Sequence, residues 1–281
     1  MSVLPPAERA APAFVPSRDG LSLEAKDRIA AIVAEDAFDQ FERPVVMWTG
    51  GKDSTLTLWH VRAACEARGV ACPPILFIDH GMHFDETWQL LEQVVASWNL
   101  RSIIVRNEDI LSRQPAPGAT IRLKDLSSEN QEEAARTGSR EKTFPYALGN
   151  LLANHLLKTV PMNHAIVEHG FDAVMTGIRW DEDEARARER FVSPRADPPH
   201  VRVHPILHFS EREVWAETIR LGLPRHPLYE RGFRSFDGKY DSRRVGDLPA
   251  WQQDFDGTPE RLGRAQDKEQ IMERLRELGY M

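Results

Sequence analysis

Residues 49–55 read Thr49-Gly50-Gly51-Lys52-Asp53-Ser54-Thr55. Two glycines let the backbone turn tightly and bring its N–H groups close to a polyanion. The Ser54 and Thr55 hydroxyls and the start of a following helix add donors and positive potential. The chemistry this suits is the holding of phosphate groups, with Lys52 as a long exposed cation at the helix start. It is not a Walker A loop, which needs a Gly five residues before its Gly-Lys pair and Ser or Thr directly after the Lys; here Asp53 follows. The plainer reading is a connecting turn. Arg179 to Arg190 carries four Arg and five Asp or Glu. It reads either as a solvated helix laced by i,i+4 ion pairs or as a clamp. In the clamp Arg179, Arg186 and Arg188 hold anionic oxygens while Asp181 and Glu182 orient the guanidinium forks. His200, His204 and His208 recur every four residues, but Pro205 interrupts any helix there and no Asp, Glu or Cys completes a zinc set. No metal site is assigned. Cys65 and Cys72 are the two cysteines, too few for a disulfide framework, a Cys-rich zinc site or a four-cysteine iron–sulfur cluster. Both read as structural.

These groups need elements to position them. Leu21 to Phe41 places Leu23, Ile29, Ile32, Val33 and Phe38 near one face and predicts a helix. Pro44-Val-Val-Met-Trp48 is a buried strand breaking at Gly50-Gly51, followed by a helix over Lys52 to Arg68. A strand at Pro74–Ile78, a helix at Phe84–Asn99 and a strand at Arg101–Val105 continue the alternation that a parallel sheet with right-handed crossovers requires. Residues 107–144 read as a mobile excursion. Helical spacing returns over Tyr146–His169, and Phe171–Met175 is a strand ending at Thr176-Gly177. The clamp therefore follows the carboxyl end of a strand, where open parallel sheets bind ligands. Ser210 with Glu213 forms a capping box for a helix to Leu221, Phe233–Thr258 reads as a long loop, and Leu262–Leu278 as a closing helix.

Four segments, in order over roughly residues 41–235, resemble one family. Thr49–Thr55 is similar to its SGGKDS-type PP-loop, and Leu76–Thr87 (LFIDHGMHFDET) resembles its VDTG-hxFxET segment. Gly177–Glu189 resembles GxRxDExxSRAxE, and Val203-His-Pro-Ile206 with Phe209–Trp215 resembles PI-x-WtExDVW. The family is that of phosphoadenosine phosphosulfate reductase, among the PP-loop ATP pyrophosphatases of adenine nucleotide alpha-hydrolase-like fold. The resemblance implies an α/β fold: a doubly wound parallel sheet, helices on both faces, and an extended C-terminal arm. It implies ATP and Mg²⁺, held by Thr49, Gly50, Gly51, Lys52, Asp53, Ser54, Thr55, Asp79, Gly81, His83 and Gly177. Lys52, Arg179, Arg186 and Arg188 become the catalytic residues.

Departures from the pattern choose a branch. Thiol-dependent members carry a C-terminal cysteine and the iron–sulfur reductases several more, whereas this sequence reads Asn154-His155 on the middle helix, Arg234-Ser-Phe-Asp-Gly238, and ends without cysteine. Reduction through a thiosulfonate needs a thiolate. The resemblance therefore points to the branch holding the small subunit of bacterial sulfate adenylyltransferase: ATP cleaved between its α- and β-phosphates to adenylylate an oxyanion such as sulfate. Sulfate, already deprotonated, needs no general base. A GTPase partner subunit is implied. Two other readings stay open: a reductase-like or sulfur-transfer enzyme acting on another acceptor, including nucleic acid, with a basic surface near Arg231, Arg234, Lys239, Arg243 and Arg244; and a non-catalytic sensor of adenylyl nucleotides.

The 281 residues fit one large domain with an arm: a leader over 1–20, the nucleotide-binding domain over 21–232, and the arm over 233–281. Thirty-six Lys and Arg against 43 Asp and Glu give a net charge of −7, which disfavours a general pull on nucleic acid. No apolar run can span a bilayer. The Pro- and Ala-rich start lacks the form of a secretory signal, so a cytoplasmic location is expected. A homo-oligomer is left open.

Overall fold

The computed structural model describes residues 20–182 and 186–263. Helix α1 (Leu23–Gln40) opens at Ser22, whose hydroxyl accepts the Ala25 N–H and satisfies one of the free donors of the first turn. Its fully buried residues are Lys26, Ala30, Ala34 and Ala37, while of the expected apolar set Leu23, Val33 and Phe38 pack half-buried against the core and Ile32 stays exposed. Alanines permit close approach to the next helix, and the Lys26 ammonium is neutralised by Glu213 at 2.9 Å.

Strand β1 (Pro44–Met47), helix α2 (Lys52–Arg68), strand β2 (Ile75–Ile78), helix α3 (Asp85–Ser97) and strand β3 (Ser102–Val105) follow as read from the sequence. Successive residues of a strand point to opposite faces. Val46, Trp48 and Phe77 thus join a core with α1, α2 and α3, while Val45 and Leu76 join another on the opposite face. Both faces being covered, the strands show unbroken apolar runs.

The stretch 107–144 is not a loose excursion. It holds the short helix α4 (Glu108–Leu111), strand β4 (Thr120–Arg122) and helix α5 (Ser128–Arg136). Strand β5 (Thr143–Pro145) pairs antiparallel with β4. The next helix begins at Leu151, not Tyr146, because Asn150 caps it through the Ala153 N–H. It runs as α6 (Leu151–Asn154), a π-helical turn (His155–Thr159) and α7 (Val160–His169).

Strand β6 (Ala173–Met175) lies parallel to β1. Strands β7 (Val192–Ala196) and β8 (Pro199–Val203) form a hairpin that the sequence reading did not contain, with β8 parallel to β6. Helix α8 (Glu211–Arg220) carries the expected Ser210–Glu213 capping box. The sheet order is β3-β2-β1-β6-β8-β7, parallel except for β7 at the edge. From the central pair β1 and β6 the chain winds outward both ways, which makes their carboxyl ends a topological switch point. With α1–α3 on one face and α7 on the other, this is the doubly wound α/β fold.

Beyond α8, Leu228, Tyr229, Phe236, Ala250 and Trp251 gather around Trp215, so the arm packs on the domain through an aromatic cluster. A 3-10 turn at Glu260–Gly263 is its last described part. The leader to residue 19 and the closing helix beyond Gly263 lie outside the described residues. No helix among the described residues is long and apolar enough to cross a membrane.

Candidate active site

A cavity opens at the carboxyl ends of β1, β2, β6 and β8, lined among others by Thr49, Lys52, Ile78, Gly177 and Arg202. The loop at its mouth owes its shape to Gly50, which sits at φ +78°, the left-handed region glycine enters without penalty. The Ser54 hydroxyl donates to the Gly51 carbonyl (3.0 Å) and accepts the Thr49 N–H (3.2 Å). That of Thr55 donates to the same carbonyl at 2.9 Å and accepts the Trp48 indole N–H. These hydroxyls hold the turn closed. The Lys52 N–H, first in α2, donates to the Tyr229 phenol at 2.9 Å, and burial pushes that phenol up to about 12.

Gly177 enforces the geometry from the β6 side. A Cβ there would stand 2.6 Å from the Asp53 carbonyl carbon and oxygen and 2.7 Å from the Ser54 nitrogen. Only glycine lets the end of β6 pass so close to the start of α2.

Lys52 is not the exposed cation that its helix-start position suggested; it is 4% exposed. Its ammonium meets Asp53 Oδ2 at 3.0 Å and Glu260 Oε1 at 2.5 Å, with Glu211 Oε1 at 3.9 Å. Arg179 is fully buried beside it. Its Nε donates to Asp181 Oδ1 at 2.8 Å, one terminal nitrogen to Asp53 Oδ1 and the other to Glu260 Oε2. Asp53 and Glu260 thus each bridge the two cations. Burial alone would favour neutral forms, but Asp53 and Glu260 on Lys52, and Asp181 and Asp53 on Arg179, hold both charged at every ordinary pH.

Other polar groups line the same cavity. Lys158, turned inward on the π-helical segment, donates to Asp237 at 2.5 Å; His80 stands 3.8 Å from that carboxylate. The rings of His80 and His83 stack at 3.7 Å, and the His83 Nε2 meets the Ile78 carbonyl at 2.8 Å. Arg186 pairs with Glu182, and Arg202 donates to His200 at 2.8 Å. Burial and the nearby Arg202 push His204 well below its usual range, leaving it neutral.

The structure thus brings Thr49, Gly51, Lys52, Asp53, Ser54, His83, Gly177 and Arg186 to the cavity wall, while Arg179, fully buried, stands behind that wall on Asp53 and Glu260. Arg188 is exposed and does not line the cavity; residues 186–188 form a 3-10 turn that buries Arg186 and leaves Arg188 at the surface. Asp79 accepts the Gly81 N–H at 2.8 Å and faces Arg106, so that pair shapes the turn after β2 while Ile78 and His80 line the cavity. Gly50 and Thr55 act on the loop from outside the lining. Among the described residues no group of three or more His, Cys, Asp or Glu is placed to hold a metal ion. Neither cysteine lines the cavity: Cys65 is buried near the far end of α2 and Cys72 packs against the same core. Arg234 is not part of a basic surface; it is buried and forks onto Glu211 at 2.7 Å. Sequence reasoning did not place Glu211, Tyr229, Lys158, Asp237 and Glu260 in the site. Glu211 is the Glu of the matched PI-x-WtExDVW segment and Asp237 lies in the quoted Arg234–Gly238 stretch, which were the signals available, whereas Tyr229, Lys158 and Glu260 follow no spacing rule.

The model of the phosphoadenosine phosphosulfate reductase domain matches residues 43–249. A curated relative, sulfate adenylyltransferase subunit 2 of Chelativorans sp. (strain BNC1), is 28% identical over 212 residues, covering 67% of this chain and 61% of the relative. The chain therefore spans about three fifths of that protein's length. Among solved structures, the phosphate complex of phosphoadenylyl-sulfate reductase from Candida auris superposes with a TM-score of 0.54 at 19% identity, covering 80% of this chain and 98% of the other. Candida glabrata FMN adenylyltransferase with FMN and the ATP analogue AMPCPP gives 0.52 at 16% identity, covering 97% and 88%. These two likenesses are of fold.

Proposed function

Because the chain belongs to the phosphoadenosine phosphosulfate reductase domain family, we propose that it binds ATP in this cavity and cleaves it between the α- and β-phosphates to adenylylate a small oxyanion such as sulfate. The observation that carries the reading is the pairing of Lys52 and Arg179, two buried cations joined through shared carboxylates at the N-terminus of α2. A charged pair this deep is costly to bury, and clustered buried charges beside a cleft mark a site for a ligand of the opposite sign to one of them, here an anion that can replace a carboxylate on the two cations.

In this account the start of α2 and the two cations hold the departing pyrophosphate, opposing the charge that builds as the α–β bond breaks. The protein's share of such chemistry is positioning and preorganised electrostatics. Glu182 orients Arg186 and Asp181 orients Arg179, so the guanidinium forks need no rearrangement when charge develops. Met47, Ile78, Met162 and Ile178 give the cavity an apolar stretch suited to a purine face. Mg²⁺, when bound, neutralises phosphate oxygens; it takes few protein ligands, and Asp53, both of whose oxygens already serve Lys52 and Arg179, would be an outer partner. No side-chain base is required, since an oxyanion such as sulfate arrives deprotonated. The name of the curated relative, a subunit 2, supports a partner subunit, and the implied GTPase is the candidate.

Pyrophosphate release from ATP, followed with a panel of oxyanions with and without Lys52→Met, tests the reading. Release stimulated by one oxyanion and lost in the variant supports it; no stimulation by any of them, with the nucleotide bound, contradicts it.

A further inference from the structure

Among the described residues, Glu260 is the one carboxylate on the Lys52–Arg179 pair that comes from the arm. Its two oxygens divide between the cations at 2.5 Å each, the arrangement a phosphate oxygen pair would adopt. Around the two positive charges stand Asp53, Asp181, Glu211 and Glu260. Asp53 and Asp181 adjoin Lys52 and Arg179 in the chain, and Glu211 is committed to the Arg234 fork. Glu260 instead sits on a four-residue 3-10 turn at the end of an irregular stretch. Around that stretch Arg234 donates to the Asp254 and Thr258 carbonyls, Arg212 pairs with Asp256, and Arg261 with Glu182. Burial works against an ionised Glu260, but Arg179 and Lys52 outweigh it and keep the carboxylate charged. A pyrophosphate cannot take these cations while that charge remains between them.

We propose that Glu260 is an internal anion occupying the pyrophosphate cradle, and that nucleotide or pyrophosphate binding displaces it and releases the 254–263 segment. This rests on the reading of Lys52 and Arg179 as the pyrophosphate cations. Apparent affinity for the anion is then reduced by the fraction of molecules in which the cradle is open. The arm thereby sets the nucleotide concentration at which the site fills, and anything that draws the arm away activates it.

The test is calorimetric titration of inorganic pyrophosphate into the full chain, its Glu260→Gln variant and an Asp256→Asn control on the same segment. Removing the internal competitor should tighten binding about tenfold or more, as expected where the closed form is at least ~90% of the population; the control should stay within about twofold. In the wild type, saturating pyrophosphate should also speed hydrogen exchange at amides 254–263, a readout needing no variant. Pyrophosphate binding equally well or more weakly to Glu260→Gln, or unchanged exchange at those amides in the pyrophosphate-bound wild type, overturns the displacement while leaving the cradle intact. Failure of both wild type and variant to bind pyrophosphate overturns the cradle itself, and the displacement with it.

Discussion

Lys52 and Arg179 are 127 residues apart in sequence and share two carboxylates in space. Replacing Lys52 by Met leaves Asp53, Glu211 and Glu260 short of one counter-charge in a buried setting. The expected outcome is loss of pyrophosphate binding together with about 3–5 kcal/mol of stability, the cost of breaking a buried pair, read from the urea midpoint. An unchanged midpoint would show that Arg179 alone suffices to neutralise the cluster. Arg179→Lys keeps the charge but not the fork that serves three acceptors at once. Catalytic efficiency should fall about 10²- to 10³-fold, the usual effect of removing one preorganised donor. Arg188→Ala should stay within about threefold, since that side chain is exposed. The sequence showed the loop and named Arg179 from its place after a strand end. It named Arg186 and Arg188 together although residues two apart on a helix point to different sides, and the structure buries the first and exposes the second.

At the scale of elements the site depends on how closely β6 meets α2. Gly177→Ala would push a methyl into the backbone of Asp53 and Ser54. Backbone atoms cannot rotate away, so the change should cost about 1–3 kcal/mol by overpacking and weaken pyrophosphate binding at least tenfold while the fold persists. A variant with wild-type affinity would show that the loop does not need its present position. The central strands were legible because apolar runs bounded by Gly and Pro leave few alternatives: β1, β2, β3 and β6 lie where they were expected. The β7–β8 hairpin was not. Its inward positions include Ser193, His200 and Arg202, polar residues that break the apolar signal. Spacing likewise treated 146–169 as one regular helix, whereas the π-helical turn inserts the shift that aims Lys158 at Asp237. No sequence period encodes one extra residue in a turn.

Across the molecule, buried histidines couple the fold to pH. Burial is the main cause that lowers His60 to about 3 and His200 and His226 to about 4. Each is neutral in the fold but protonates near 6.5 once unfolded, so its contribution is complete above about pH 6.5 and is lost as the pH falls towards the folded value. Asp27 acts oppositely: raised to about 7 by burial and Glu217, it favours the fold at low pH and loses that contribution as the pH rises. Burial also lowers His83 and His204 and raises Glu211, so five histidines outnumber two carboxyl groups and the balance is a loss of stability as the pH falls below about 6.5. The urea midpoint should therefore drop clearly between pH 6.5 and 5.5; a flat profile would mean that these rings stay hydrated. Composition foretold none of this, since it counts ten histidines without saying which are enclosed. The central claim, that this fold directs cleavage to the α–β bond of ATP, is tested most directly by identifying the phosphorus products with ³¹P NMR after incubation with ATP, Mg²⁺ and sulfate. The account predicts pyrophosphate together with an adenylyl product, both absent with Lys52→Met; ADP and orthophosphate from the wild type would contradict it.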